Sequence, residues 1–182
     1  MSRLGTGLLK KDWLHAGQDI LRAEGVDGIS LKSLTDRLGV TKGSFYHHFK
    51  CLDDYLTDLA NYFSGDHLAL IFDQAREEAK GDPVAELESI RRIIEADDGY
   101  RLMSAMRMWA KSNEVAAKSI EKLDDVARKN LVRIFRDMGF APQDAKVRAF
   151  MVHALGVTDI DRTFPGLSYE KLQKAVLDIL IS

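Results

Sequence analysis

Five residues near the N-terminus share one stripe of a potential helix: Lys42, Gly43, Tyr46, His47 and Lys50, at offsets of one, three and four. They offer two ammonium groups, a phenol, an imidazole and a stretch of backbone that glycine leaves bare. Such a set can meet anionic oxygens and planar hydrogen-bonding edges together, the chemistry of a duplex backbone and its bases. Thr41 and Ser44 add hydroxyls at the start of the same helix, where backbone N–H groups and the dipole already favour an anion.

That stripe needs something behind it. Phe45 and Phe49 are four apart and, with Val40, form an inner face. A preceding helix is predicted from the Ser30 cap, with Leu31, Leu34 and Leu38 on one side. Gly39 suits a left-handed close, and Thr41 is placed to cap the second helix, expected over Lys42–His48. Lys32 and Ser33, in the first turn of the preceding helix, are placed to grip a phosphate backbone. A further helix, from Leu9 or Lys10 to Glu24, carries Leu9, Trp13, Ala16 and Ile20 with Leu21 beside them, and Gly25 stops it. Its role is to brace two short helices that bury too little alone. Met1–Leu8 reads as a frayed arm.

The run TDRLGVTKGSFYHHF resembles the helix-turn-helix of the TetR family of bacterial transcriptional regulators. It matches the family pattern at Gly39, Val40, Thr41, Gly43, Phe45, Tyr46 and Phe49. It departs at Thr35 and Leu38, where alanine is common; both lie on the inner face and bear on packing. Farther on, RMWAKSNEVAAKSIEKLDDVARKNLVRIFRDMGFAPQDAKVRAF is similar to the body of one group within the family. The specific part of the resemblance spans about Leu9 to Phe63.

The remainder reads as helix. From near Leu52 a long helix carries Leu56, Leu59, Phe63, Leu70 and Ile71, with a bend expected at Ser64-Gly65. Further helices follow from Pro83, from Tyr100 to Lys111, from Asn113 to Met138, over Pro142–Val157 and over Tyr169–Ile181, the last capped by Ser168. All three prolines fall at inferred boundaries, and no alternating strand pattern occurs. The expected fold is all-α, with about nine helices. A helix-turn-helix domain covers residues 1–50, and a helical ligand-binding and dimerisation domain covers 51–182. Charge divides in the same way. Residues 1–50 hold eight Lys and Arg against five acids, a net +3, and the other 132 residues carry 18 bases and 23 acids, a net −5.

Pro142–Val157 and Tyr169–Ile181 are apolar on more than one face, so each needs two partners: the body together with either a second copy or, as a buried hairpin within a monomer, the rest of the same chain. The resemblance implies the same homodimer, formed through the last helices. It also implies a small-molecule pocket in the body. Candidate lining is Phe63, His67, Phe72, Tyr100, Met103, Met106 and Trp109, with His153 a further candidate, since methionine and aromatic side chains adapt to apolar ligands.

Catalysis finds no footing. There is no Glu-x-x-His, no His-x-x-x-His, no phosphate-binding G-x-x-x-x-G-K-[ST] and no G-x-S-x-G. No cofactor or metal is implied. Cys51 is the single cysteine, expected to be packed at a helix junction, and a reducing cytoplasm is the natural location. Together with the recognition stripe, the resemblance implies a ligand-responsive regulator, expected to be a repressor, that binds an inverted-repeat operator in double-stranded DNA as a homodimer. The alternative is an apolar-ligand-binding helical module that does not read DNA sequence. The effector is not legible.

Overall fold

Glycines and capping side chains set the helix ends in the computed structural model. It describes residues 7–64, 66–96, 98–157, 166 and 169–181, the side chains of 64, 66–68, 169, 170 and 173 excepted. Ten α-helices and no strand occur among the described residues. They are α1 Lys10–Glu24, α2 Leu31–Leu38, α3 Lys42–Tyr46, α4 Leu52–Ser64, α5 Asp66–Ala79, α6 Pro83–Ala96, α7 Gly99–Ala110, α8 Glu114–Asp137, α9 Pro142–Val157 and α10 Tyr169–Ile181. The chain divides into two compact units: Met1–Gly65 with Ala105–Ile120, and Asp66–Ser104 with Glu121–Ser182.

In the first unit α1 stops at Gly25, whose φ of 74° favours glycine. Ser30 caps α2: its hydroxyl accepts from Ser33 N–H at 3.0 Å, and Ser33 Oγ accepts from Ser30 N–H at 2.9 Å. Gly39 closes α2 in the left-handed region, at φ 67° and ψ 34°. Thr35 is buried on the inner face, where alanine is common in the family pattern. Its hydroxyl donates back to the Leu31 carbonyl at 2.8 Å, so no polar atom is stranded.

The core of this unit is aromatic. Trp13, Phe45, Phe49 and Tyr55 are each at most 2% exposed. Trp13 meets Phe45 edge-on at 5.4 Å, and Phe49 meets Tyr55 edge-on at 5.0 Å. Leu9 was expected on the buried face of α1. It precedes the first helical turn and stays exposed.

In the second unit, Asp82 caps α6 by accepting from Val84 N–H at 2.9 Å, with Pro83 at the first helical position. The start of α8 belongs to the first unit, where Asn113 caps it through Ala116 N–H at 2.9 Å; its end belongs to the second, where Gly139, at φ 96°, follows it. Glu86 is buried on α6 and is held by Arg133 of α8 through both carboxylate oxygens, with Arg76 of α5 at 3.7 Å.

The single bent helix expected after Leu52 is two helices, α4 and α5, which gives ten among the described residues. Gly65 between them lies outside the described residues, as do Pro165 and Ser168. Leu70, expected on the apolar face, is exposed: α5 turns Phe72, Ala75 and Ala79 inward.

Candidate nucleic-acid interface

The candidate stripe is held from behind by the aromatic core. Phe45 and Phe49 sit one turn apart with rings 5.2 Å apart, and Trp13 of α1 and Tyr55 of α4 close around them. Tyr55 anchors the arrangement: its buried hydroxyl donates to the Trp13 carbonyl at 2.9 Å. Burial pushes the Tyr55 phenol well above the ordinary tyrosine range, so it remains a donor. Lys10 covers the outer side of Phe49, with its ammonium 5.2 Å from the ring centre and 2.5 Å from Asp58.

With both phenylalanines inward, the opposite side of α3 faces solvent. Thr41, Lys42, Gly43, Tyr46, His47 and Lys50 are all exposed, and Ser44 is half-buried. Tyr46 is 58% exposed and stands edge-on to Phe45 at 5.5 Å, which directs a large aromatic outward at a fixed angle. The helix is shorter than predicted, Lys42–Tyr46 rather than Lys42–His48. Its hydrogen bonding nevertheless runs on, with His47 N–H to the Gly43 carbonyl at 3.2 Å and Phe49 N–H to the Phe45 carbonyl at 3.0 Å. Thr41 stands at the cap position without a cap hydrogen bond from its side chain, contrary to expectation.

Gly43 is informative because no side chain or backbone among the described residues crowds it. A Cβ placed there would meet only Thr41 Oγ1, at an ordinary 3.7 Å. Glycine inside a helix costs about 1 kcal/mol relative to alanine. Here that cost leaves a bare backbone on the exposed side.

The two α2 residues differ. Lys32 is exposed and pairs with Asp36 at 2.5 Å; that hydrogen bond and its charge hold the ammonium above the ordinary lysine range. Ser33 spends its hydroxyl on the cap of α2 and on the Gly28 carbonyl at 2.8 Å, leaving its backbone N–H bonded to Ser30. Cys51, expected to be packed, is exposed at the start of α4. Beside it Asp54 accepts from Lys50 N–H at 3.1 Å, which orders the exit from the stripe.

The candidate pocket residues of the body fall in both units. Phe63, Met106 and Trp109 are buried residues of the first unit. Phe72, buried, with Tyr100 and Met103, half-buried, belongs to the second unit. The side chain of His67 lies outside the described residues. His153 is half-buried, with its imidazole 3.4 Å from Asp124. Sequence reasoning missed a groove of about 280 Å³ in the second unit, lined by Val84 and Leu87 of α6 and by Lys174, Leu177 and Ile181 of α10. No helix of the described residues is long and apolar enough to cross a membrane.

Residues 14–50 match the family described as bacterial regulatory proteins, tetR family. No curated protein matches the chain in sequence. Several solved structures share its fold. A TetR transcriptional regulator from Legionella pneumophila superposes with a TM-score of 0.82 at 11% identity, covering 98% of this chain and all (100%) of that one. A transcriptional regulator from Rhodococcus sp. Rha1 gives 0.73 at 23% identity, over 96% and 94% of the two chains. The TetR family transcriptional regulator PfmR from Thermus thermophilus gives 0.65 at 21% identity, over 93% and 96%. At these identities the likeness speaks to the fold.

Proposed function

We propose, from the premise that this chain carries the head of the TetR family of bacterial regulatory proteins and the fold that accompanies it, that it regulates transcription by binding operator DNA as a homodimer. The observation that carries the reading is the outward strip of α3 and the turn that follows it, Lys42, Gly43, Tyr46, His47 and Lys50, set on buried Phe45 and Phe49. In a major groove the bare backbone at Gly43 lets α3 approach closely. Lys42, Lys50 and Tyr46 serve phosphates and support affinity. Thr41, Gly43, Ser44 and His47 reach base edges and support specificity. Of the two α2 residues, exposed Lys32 is free to exchange Asp36 for a phosphate, and Ser33 contributes by fixing the first turn of α2.

Two copies joined through α9 and α10 present two such strips. An inverted repeat with half-sites about 34 Å apart, or somewhat more, matches that symmetry. Supporting the dimer, Val147, Phe150 and Met151 of α9 and Ile179 of α10 are large apolar side chains left exposed in the single chain. Release follows if an apolar effector in the body favours an arrangement with mis-spaced heads, and repression is the expected output.

The test is a gel-shift titration on DNA flanking the protein's own coding region, repeated over a salt series. Native protein is expected to shift that DNA. Lys42→Ala is expected to weaken binding to all sequences and to lower the salt slope by about one ion. A native protein that leaves every fragment unshifted points instead to the helical ligand-binding module.

A further inference from the structure

Arg148 of α9 uses one guanidinium in three ways. Its Cζ lies 3.8 Å from the centre of the Phe140 ring, at the corner between α8 and α9. Its Nε donates to Asp144 Oδ1 at 3.2 Å, one turn back. Its Nη1 donates to the Leu180 carbonyl, in the last turn of α10. Only 20% of the side chain remains exposed.

The last carbonyls of a helix have no partner within it, and a cation there also meets the negative end of the dipole. Arginine can satisfy such a carbonyl and stack flat on a ring at once, because its donors lie in one rigid plane. Phe140 is itself fixed. Its ring packs edge-on against buried Phe135 at 6.0 Å, and its carbonyl accepts from Arg136 at 2.5 Å. A continuous series of contacts therefore runs from the α8–α9 corner, through Arg148, to the end of α10.

What this series orders is apolar. Ile179, next to Leu180, is 69% exposed, and so is Phe150, two residues after Arg148. We infer that Arg148 is a positioning residue for the docking of a second copy. By tethering the end of α10 to α9 and to the Phe140 corner, it presents the Ile179 side of α10 and the Phe150 side of α9 as one surface. The inference rests on the homodimer reading above, and its test keeps the two apart.

The experiment is sedimentation of the full chain over a concentration series, with helicity followed by circular dichroism. Arg148→Ala is expected to keep native helicity and to weaken self-association by about tenfold or more. Phe150→Asp, which buries a charge in the same surface, is expected to leave only monomer. An Arg148→Ala constant within about twofold of native, alongside a monomeric Phe150→Asp, overturns the role of Arg148 and leaves the dimer standing. A native chain that stays monomeric at every concentration overturns the homodimer reading and this inference with it. Should Arg148→Ala lose helicity, Phe140→Leu removes only the ring beneath the guanidinium. It is expected to weaken association severalfold, and an unchanged constant overturns the role.

Discussion

The hydroxyl of Tyr55 occupies the space that a side chain on Gly17 would fill: a Cβ there would lie 1.8 Å from Tyr55 Oη. From that position the hydroxyl reaches the Trp13 carbonyl, 2.9 Å away, and joins α4 to α1 behind the exposed strip of α3. Gly17→Ala is therefore expected to destabilise the protein by about 1–3 kcal/mol, although alanine is the better helix former. Tyr55→Phe alone is expected to cost about 1 kcal/mol for the lost hydrogen bond. Together the two changes should cost less than their sum, because phenylalanine removes the nearest clashing atom. A denaturant double-mutant cycle checks this, and strictly additive costs would show that the two residues do not compete for that space.

Tyr55 also sets an alkaline limit. Burial raises its folded-state pKa above the unfolded value of about 10. Below that pH both states hold the proton and the contribution is intact. Above it the unfolded chain ionises first, so stability falls as pH rises. Unfolding measured from about pH 8 to about pH 11 should decline more steeply in the native protein than in Tyr55→Phe, and parallel curves would contradict the assignment.

Gly43 separates folding from binding. A methyl group at this position meets nothing closer than 3.7 Å among the described residues, so Gly43→Ala should fold normally and gain about 0.5–1 kcal/mol in stability. The same variant should lose most of its operator affinity, because the methyl group keeps α3 from the bases. Retained affinity at native or higher stability would mean that α3 does not approach DNA through this residue.

Glu86 is a buried carboxylate whose partners are arginines. Glu86→Ala leaves Arg133 with Asp137, 2.9 Å away, as its carboxylate among the described residues. Because Arg133 remains one-third exposed (33%), a loss of about 2–3 kcal/mol is expected rather than the larger cost of a fully buried orphan charge. Replacing both residues, as Glu86→Leu with Arg133→Met, should recover part of that loss. Thermal unfolding reads both variants, and a double variant no better than Glu86→Ala would place the cost in packing instead.

The parts of the fold that were legible are those with local causes. Ser30, Gly39, Gly25, Asp82-Pro83 and Gly139 mark helix ends through their own backbone chemistry, and the structure uses them so. Phe45 and Phe49 could be assigned inward because a spacing of four puts them on one face. Tyr55, Gly17 and Glu86 were missed for a shared reason. Each is explained by a residue far along the chain, and a tyrosine among aspartates or a glutamate beside leucine reads locally as surface. Leu9 and Leu70 erred in the opposite direction, because an apolar residue at helical spacing carries no signal that its face lacks a neighbour. The α6–α10 groove likewise depends on tertiary packing alone.

The central claim is that the strip on α3 reads DNA, and selection of bound sites from random duplexes by the purified full chain tests it most directly. The account predicts enrichment of an inverted repeat with half-sites at least one helical turn, about 34 Å, apart, and loss of that enrichment in Tyr46→Ala with helicity unchanged. A pool that stays random with native protein, or the same enrichment with Tyr46→Ala, would contradict it.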